Sequence, residues 1–491
     1  MRHRIGRTLA LTALVVTGLV VVAGGCGDDD SDQSNSEPAQ PIRRVAQGPN
    51  FVVVMTDDQD QASLAAMPHV QRELVDRGVN FTDFFSTYPE CCPSRATFLT
   101  GQFAHNHGVL SNDPPDGGFG AFDDGNTLPV WLQQAGYEAA YLGKYLNGYG
   151  WEALGNSPTY IPPGWTTWEA FANHTEYQMY GYDLNVNGTI RTYGDRPRDY
   201  QTDVLAREAS KFIRAHAGRR PFFLTVAPLA PHDEGVLENK PNVARNPRPS
   251  PRDMGHFAGK RLPRPPSFNK RDLADMPRFV ARLGRLGRRE IASTTRLYRS
   301  RLESLLAVDD MVDRLLRSLN RSDELRDTVF IYTSDNGFLL GEHRMLGKDV
   351  IYEEAAKVPL VIRGPGFPQG AERSQVTGNV DLAPTIAKLA GVEPGAKVDG
   401  ASLLPIARNA SARRHRSLLL EVLAQHEVTA VRSPGYLYGE YESGAAVLYD
   451  LKRDPYEIRN VARDREYSKT RHRLAGELMR LRACTGRACT R

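Results

Sequence analysis

The chain has 491 residues, of which 41% are hydrophobic and 24% are charged, and this length predicts two unequal domains or one large domain with a smaller appendage. Lysine and arginine total 62 against 58 acidic residues, so the net charge of +4 gives no electrostatic reason to expect a nucleic-acid partner. The basic residues are unevenly spread, with a dense run between Arg245 and Arg301. This run is either a solvated, irregular face or a patch that attracts a polyanion.

The first segment has the pattern of an export signal. Basic residues at positions 2–7 precede an apolar run over 9–22, and small residues then lead to Cys26. A cysteine at that position resembles the bacterial lipobox, so we expect a signal peptide over 1–26 and a lipid on Cys26 that anchors the protein to the outer face of the cell membrane. An uncleaved membrane span is the weaker alternative, because the run is shorter than the roughly 20 residues needed. The polar stretch 27–48 is expected to be a flexible tether.

From Phe51 onward, short apolar strands alternate with helical patterns. Residues 51–55 form a continuous apolar run of the kind that is buried on both faces of a sheet. Further strands are predicted at 137–142, 221–226, 329–332 and 358–362, and helices at 70–78, 128–135, 204–215 and 302–319. This alternation predicts an α/β sandwich around a mostly parallel sheet, with a main domain over 49–410.

After Ala410 the pattern changes to short strands with turns between them. Strands predicted at 418–420, 428–431, 436–441 and 447–449, followed by a helix at 473–482, indicate a small antiparallel sheet subdomain over 411–491. Export implies an oxidising compartment, so Cys484 and Cys489 are expected to close a small disulfide loop. Metal binding by this pair is less favoured, because no histidine accompanies it. In the main domain, the Pro- and Arg-rich segment 241–277 is predicted to be a long surface insertion.

Acidic residues follow two of the predicted strands. Asp57 and Asp58 come after the first, and Asp335 and Asn336 come after the strand at 329–332. Ligands of open parallel sheets gather beyond the carboxyl ends of the strands. Three carboxylates and an amide oxygen at one point suit Ca²⁺ or Mg²⁺. Each pair alone could equally be a turn or a helix cap, but together they favour a metal site.

Between those strands lies an adjacent cysteine pair, Cys91 and Cys92. Pro93 is suited to open a helix and Gly101 to end it, which would place Cys91 at a helix N-terminus that favours an anion. A strained vicinal disulfide or a buried thiol pair is the less favoured alternative. The run Cys91-Cys92-Pro93-Ser94-Arg95, with Leu99-Thr100-Gly101 after it, resembles the sulfatase signature C-x-P-S-R followed by L-T-G, a highly specific motif.

The resemblance covers Asn50 to about Ala462 and implies an alkaline-phosphatase-like fold. It is nearest to the N-acetylglucosamine-6-sulfatase and heparan endosulfatase branch, through Thr56-Asp57-Asp58-Gln59-Asp60, His105-Asn106-His107 and Gly143-Lys144-Tyr145-Leu146-Asn147. General sulfatase motifs are matched by Pro231-His232, Ser334-Asp335-Asn336-Gly337, Gly347-Lys348, Val358-Pro359-Leu360, Leu448-Tyr449-Asp450-Leu451 and Asp454-Pro455.

The resemblance also implies roles for individual residues. Cys91 would be oxidised to formylglycine by a dedicated formylglycine-generating enzyme, and Arg95 would hold the formylglycine hydrate. Lys144 and Lys348 would grip sulfate oxygens, and His232 would protonate the departing oxygen. The ligands of Ca²⁺, with Mg²⁺ as the alternative, would be Asp57, Asp58, Asp335, Asn336 and the modified Cys91.

One position departs from the pattern of many sulfatases. Leu146 stands two residues after the first lysine, where many members carry a histidine that is thought to deprotonate the covalent intermediate. The glucosamine-6-sulfatase branch shares the Lys-Tyr-Leu-Asn pattern, so activity is still expected. His107 is a candidate for the missing base, and a structural histidine is an equally good interpretation.

The expected function is hydrolysis of sulfate monoesters, with sugars of the N-acetylglucosamine-6-sulfate type as the predicted substrates. An aryl sulfatase and a phosphoester or phosphonate hydrolase on the same scaffold are the enzymatic alternatives. The non-enzymatic alternative is a surface protein that binds sulfated glycans through its Arg-rich insertion. Four aromatic residues could either stack on sugar rings or belong to the core, namely Trp151, Trp165, Trp168 and Tyr180.

Overall fold

The predicted buried strands form one large sheet in the computed structural model, which describes residues 48–235, 246–412, 416–424 and 426–490. The predicted signal peptide, its lipobox cysteine and nearly all of the tether lie outside these residues, as does part of the insertion at 241–277. The strands are β1 (Asn50–Thr56), β2 (Val79–Phe81), β3 (Phe84–Phe85), β4 (Glu138–Gly143), β5 (Thr167–Ala172), β6 (Asp183–Val186), β7 (Thr189–Thr192), β8 (Phe222–Ala227), β9 (Thr328–Ser334), β10 (Leu339–Leu340), β11 (Leu346–Gly347), β12 (Leu360–Arg363), β13 (Ala371–Arg373), β14 (Thr377–Gly378), β15 (Leu418–Val422), β16 (Val428–Ser433), β17 (Tyr436–Tyr441) and β18 (Ala446–Asp450).

The helices agree with the predicted alternation, with two differences in extent. The predicted helix at 70–78 is a short α-helix followed by a π-helical turn over Gln71–Val75, and the predicted helix at 302–319 begins much earlier. The helices are α1 (Pro68–Val70), α2 (Cys91–Thr100), α3 (Ala104–His107), α4 (Leu128–Gln134), α5 (Gln201–His216), α6 (Arg278–Ala281), α7 (Arg288–Arg321), α8 (Glu353–Ala356), α9 (Leu382–Ala390), α10 (Leu404–Arg408) and α11 (Ser468–Arg482). Among the described residues, no helix is both long and apolar enough to cross a membrane.

The large sheet has ten strands in the order β13-β2-β12-β9-β1-β8-β4-β5-β6-β7. Its centre, from β9 to β5, is parallel, and antiparallel pairs join β12 to β9, β5 to β6 and β6 to β7. The strands β5 to β7 were not predicted. The outermost of them, β7, is largely exposed and therefore lacks the apolar run that marks a buried strand.

Helices cover both faces of the sheet. Successive side chains of β1 point alternately to the two helical layers. Phe51, Val53 and Met55 pack on the side of α2, α4 and α9. Val52 and Val54 pack on the opposite side, against α5 and α7. Because both faces of β1 are buried, its sequence is a continuous apolar run, which is why this strand is readable without the structure.

The C-terminal segment forms the predicted antiparallel sheet, in the order β15-β16-β17-β18. It packs with α11 and with residues around Tyr352 in a third apolar cluster. The structure joins Cys484 to Cys489 by a disulfide, as expected from the sequence.

Candidate active site

Four neighbouring parallel strands deliver polar side chains to one edge of the sheet. Asp57 and Asp58 follow β1, and Asp335 follows β9, whose Ser334 is paired in register with Thr56. On the other side, the backbone N–H of Lys144 after β4 donates to Ala227 O at the end of β8. The strand ends therefore converge, because parallel neighbours place their carboxyl ends at the same edge.

Helix α2 brings Cys91 to this edge. The helix begins at Cys91 itself, two residues before Pro93, and ends at Gly101, whose φ of 68° is the left-handed conformation that favours glycine. The two cysteines differ in environment: Cys92 packs in the apolar core, whereas Cys91 faces the charged groups. Both are free, so the vicinal disulfide alternative was wrong.

Two ammonium groups and one carboxylate surround the thiol of Cys91. Lys348 Nζ lies 2.8 Å and Lys144 Nζ 3.3 Å from Cys91 Sγ, and the thiol donates to Asp57 Oδ1 at 3.3 Å. Burial, together with Asp57, raises the pKa of the thiol well above its ordinary value although both lysines oppose the shift. The unmodified thiol is therefore a poor nucleophile here, since the thiolate is the reactive form.

The carboxylates are matched by cations that are themselves buried. Lys144 Nζ lies 2.5 Å from Asp57 Oδ2, and Lys348 Nζ lies 2.5 Å from Asp58 Oδ1. Arg95 binds Asp335 Oδ2 at 2.8 Å and reaches Asp57 Oδ2 at 3.4 Å. Although burial opposes ionisation, Lys144 and Lys348 hold the pKa values of Asp57 and Asp58 below their usual range.

The same residues fit a divalent cation. Ligand atoms of Asp57, Asp58, Cys91 and His232 all lie within 4.8 Å of one another. Asn336 donates through Nδ2 to Asp58 Oδ1 at 2.7 Å, whereas its buried Oδ1 accepts no hydrogen bond from any described residue. Carboxylate and amide oxygens are the ligands that Ca²⁺ and Mg²⁺ prefer, so this donor set suits the predicted ion.

His232 lies where the site meets a cavity. Its Nε2 lies 3.5 Å from Asp58 Oδ2 and its Nδ1 2.9 Å from Asp233 Oδ1. Burial lowers the pKa of His232, but the charges of Asp58 and Asp57 and the hydrogen bond to Asp233 more than offset this, so the net shift is upward. Together with Asp58 and Lys348, His232 lines a cavity of about 480 Å³ that also includes the exposed side chains of Leu346 and His426.

Two residues that touch the site were not predicted from the sequence. Arg301 on α7 donates to Asp58 O, and its guanidinium lies 4.3 Å from the centre of the Phe338 ring. The ring centre of Tyr177 is 4.5 Å from Lys144 Nζ and 5.0 Å from the ring centre of His232. Arg301 lies within the Arg-rich run and Tyr177 within an aromatic stretch, so neither had a distinguishing pattern of its own.

Each residue on which the sequence left alternatives open has packing or hydrogen-bonding contacts of its own. His107 contacts Thr97 Oγ1 through Nε2 at 3.0 Å and accepts from the Val109 N–H through Nδ1, which favours the structural interpretation. Trp165 and Trp168 belong to the core. Trp151 stacks on His174, and Tyr180 packs beneath the Arg248 guanidinium.

Buried carboxylates and cations at the carboxyl ends of a parallel sheet are the arrangement expected of a protein that holds a divalent cation beside a small oxyanion. Comparison with known proteins narrows the class. Residues 49–392 match the family model "Sulfatase", and residues 341–484 match "N-sulphoglucosamine sulphohydrolase, C-terminal".

Individual relatives agree with this match. The chain is 33% identical to the arylsulfatase of Volvox carteri (90% of this chain, 76% of the relative) and 32% identical to the N-acetylglucosamine-6-sulfatase of Homo sapiens (77% and 67%). It is 36% identical to the extracellular sulfatase Sulf-1 homolog of Caenorhabditis elegans, of which it spans 51%, with 75% of this chain covered. A solved protein in complex with its substrate D-glucosamine-2-N,6-O-disulfate has a TM-score of 0.72 at 26% identity, with 88% of this chain and 97% of that chain covered.

The chain belongs to the type I sulfatase family, and within it to the branch of N-acetylglucosamine-6-sulfatases and Sulf-1 homologs. It is therefore an enzyme of the sulfatase class, and the predicted alkaline-phosphatase-like fold is confirmed.

Proposed function

We propose that the protein hydrolyses sulfate monoesters of sulfated sugars, with 6-sulfated glucosamine as the preferred class. The observation that carries the proposal is the position of Cys91: it starts a helix and lies within 3.3 Å of two ammonium groups, beside a set of carboxylates that suits a divalent cation. A sulfate monoester resists attack because its oxygens are negative, and these cations offset that charge.

Two groups would complete the site. Formylglycine, made from Cys91 by a formylglycine-generating enzyme, would supply a hydrated aldehyde whose hydroxyl is a positioned nucleophile. A divalent cation, Ca²⁺ or alternatively Mg²⁺, would supply positive charge next to the sulfate oxygens. Its ligands would be Asp57, Asp58, Asp335, Asn336 and the modified residue 91.

The remaining residues bind, orient and move protons. Lys144 and Lys348 would each bind a sulfate oxygen, since both ammonium groups already converge on residue 91. Arg95 would fix Asp335 and Asp57 through its contacts at 2.8 and 3.4 Å and add charge beside residue 91. His232 would donate a proton from Nε2 to the departing sugar oxygen, while Asp233 holds Nδ1.

The sugar preference rests on the branch of the family and on the open cavity above Lys348. The human relative is an N-acetylglucosamine-6-sulfatase, and the solved neighbour binds a 6-O-sulfated glucosamine. Exposed Leu346 and His426 offer a broad, partly apolar rim beside Lys348 and His232, which suits a sugar ring.

Export and lipid anchoring at Cys26 belong to the same proposal. Relatives that are extracellular sulfatases support export, and the lipobox-like sequence supports the anchor. Cells that express the full chain should carry the protein in the membrane fraction, and a Cys26→Ala variant should leave that fraction. Equal membrane retention of both would contradict the anchor.

The function is tested on protein co-expressed with a formylglycine-generating enzyme. Mass spectrometry of the peptide that contains Cys91 should show conversion of the thiol to the aldehyde. Sulfate release should then be highest with glucosamine 6-sulfates, lower with 2- and 3-sulfated isomers, and lower still with an aryl sulfate. Activity in protein whose Cys91 is entirely unmodified would refute the mechanism. Preference for an aryl sulfate, or for a phosphonate ester, would refute the substrate class.

A further inference from the structure

A second buried cluster of metal-ligating side chains lies apart from the residues named in the proposed function. It consists of His343, in the hairpin between β10 and β11, Glu354 on α8, and Glu457 after β18. One ligand atom from each lies within 4.8 Å of the other two. His343 is 0% and Glu457 1% exposed, and Glu354 is partly buried.

Each of the three residues has a polar atom without a partner among the described residues. These atoms are both ring nitrogens of His343, Glu354 Oε2 and Glu457 Oε1. The other carboxylate oxygens are used: Ser267 Oγ donates to Glu354 Oε1 at 3.5 Å, and the Glu353 N–H donates to Glu457 Oε2 at 3.1 Å. Since buried polar groups are nearly always paired, unpaired atoms on all three side chains at one point indicate a missing ligand.

The chemistry of the three side chains favours a cation as that ligand. A ring nitrogen of His343 and one carboxylate oxygen each of Glu354 and Glu457 can all donate a lone pair, and no described residue forms a hydrogen bond to these atoms. A cation would bind all three atoms at once.

We propose that His343, Glu354 and Glu457 bind a second divalent cation, for which Zn²⁺ is the best fit. One imidazole nitrogen with two carboxylate oxygens is a donor set that suits Zn²⁺ better than Ca²⁺, which prefers oxygen alone. Ligands about 2.0–2.2 Å from Zn²⁺ lie roughly 3–4 Å from each other, and the three ligand atoms here all lie within 4.8 Å of one another.

The position of the cluster gives the cation a structural role. His343 and Lys348 belong to the same hairpin segment, and the His343 ring stacks on Tyr352 with their centres 4.3 Å apart. Glu457 belongs to the C-terminal segment, whose sheet packs around Tyr352. A cation at this point would tie the hairpin, α8 and the C-terminal segment together.

The test measures metal content and thermal stability, not activity. The full chain is stripped with a chelator, loaded with Zn²⁺, dialysed and analysed by elemental mass spectrometry, beside Glu457→Gln and Asp335→Asn variants. Zinc should remain bound to wild type and to D335N, and Tm should rise with zinc in both. E457Q should bind zinc between these three residues at least roughly 10-fold more weakly and show a clearly smaller rise in Tm than wild type. Equal zinc binding and equal Tm shifts in wild type and E457Q would overturn the proposal, as would no zinc binding by wild type.

A crystal of the zinc-loaded wild-type protein keeps the proposal testable if E457Q does not fold. Anomalous scattering at the zinc edge should give a peak between His343 and Glu457. A peak only at the Asp57 and Asp335 carboxylates, or ordered water alone between His343 and Glu457, would overturn the assignment.

Discussion

The protein has two buried ionic regions, one that includes residues of α2 and one that includes residues of α3. They differ in how completely their polar atoms are paired. In the site cluster, carboxylates and cations surround one reactive side chain, and Asn336 Oδ1 has no partner among the described residues. We define the site cluster as Asp57, Asp58, Cys91, Arg95, Lys144, His232, Asp335, Asn336 and Lys348. The junction cluster, defined by His105, Asn106, Asp399 and Glu421, uses all four carboxylate oxygens. Asp399 accepts from Phe103 N, Asn106 Nδ2 and Gly486 N, and Glu421 contacts Ala104 N and His105 Nδ1.

This difference in pairing distinguishes a cluster that can bind a ligand from one that only stabilises the fold. Burial and charge are common to both clusters, so neither property alone identifies a functional site. The junction cluster is satisfied by main-chain donors from α3 and from the C-terminal segment, and it therefore stabilises without needing a ligand. The site cluster retains unused coordinating capacity, which is the property that a metal and an oxyanion would use.

The largest expected effect comes from replacing the side chain at the centre of the site cluster. Cys91→Ala should lower sulfate release by at least roughly 10⁴-fold, because it removes the precursor of the nucleophile. The matched control is Cys92→Ala, which empties space in the apolar core. It should cost about 1–2 kcal/mol of unfolding free energy and leave turnover nearly unchanged. Equal losses of activity in the two variants would mean that residue 91 is not the nucleophile.

The next effect concerns the cations around residue 91. Lys348→Ala should reduce kcat/KM by roughly 10²- to 10³-fold, because one preorganised charge at the sulfate oxygens is lost. Lys211→Ala is the control, since Lys211 is an exposed lysine outside the site cluster that pairs with Glu208 at 3.4 Å. Steady-state kinetics on one sulfated sugar would compare them. A loss below about tenfold for Lys348→Ala would argue that its ammonium group does not touch the substrate.

Mutation of the junction cluster should lower the free energy of unfolding and leave the turnover rate unchanged. Glu421→Gln is expected to cost about 1–3 kcal/mol of unfolding free energy, because it weakens paired, buried contacts. Burial lowers the pKa of His105, but the Glu421 contact more than offsets it and the net shift is upward. The contribution of this pair is therefore complete below the unfolded pKa of histidine, about 6.5, and is lost as pH rises through the raised pKa of the folded state.

Denaturant unfolding at several pH values tests this pair. Wild type should lose part of its stability as the pH rises above about 6.5 and through the raised pKa of His105, and Glu421→Gln should lose less over the same range. Identical pH dependence in the two proteins would show that His105 titrates without coupling to Glu421. Turnover of Glu421→Gln at saturating substrate serves as the control and should match wild type.

Sequence patterns predicted those parts of the molecule that follow from local chemistry. The strands β1 and β9 were readable because burial on both faces makes them continuous apolar runs, and the acids after them were placed correctly at the shared edge. The beginning of α7 was not predicted, because its first residues are largely exposed and show no helical spacing of apolar residues. Arg301 and Tyr177 reach the site only through the packing of distant segments, which no local pattern encodes.

The smallest effect is expected from mutation of His107, which tests whether this residue acts in catalysis or only in packing. Its Nδ1 accepts from the Val109 N–H and its Nε2 contacts Thr97, and burial lowers its pKa to about 3, so the ring is fixed and neutral at working pH. A general base contributes roughly 10²- to 10⁴-fold to a rate, so His107→Gln should change kcat by less than about threefold if the residue is structural. Because Leu146 is buried in the core and has no titratable group, no base is supplied from that position. A hundredfold loss of kcat on mutation of His107, with the folded state intact by circular dichroism, would instead identify it as the residue that resolves the reaction.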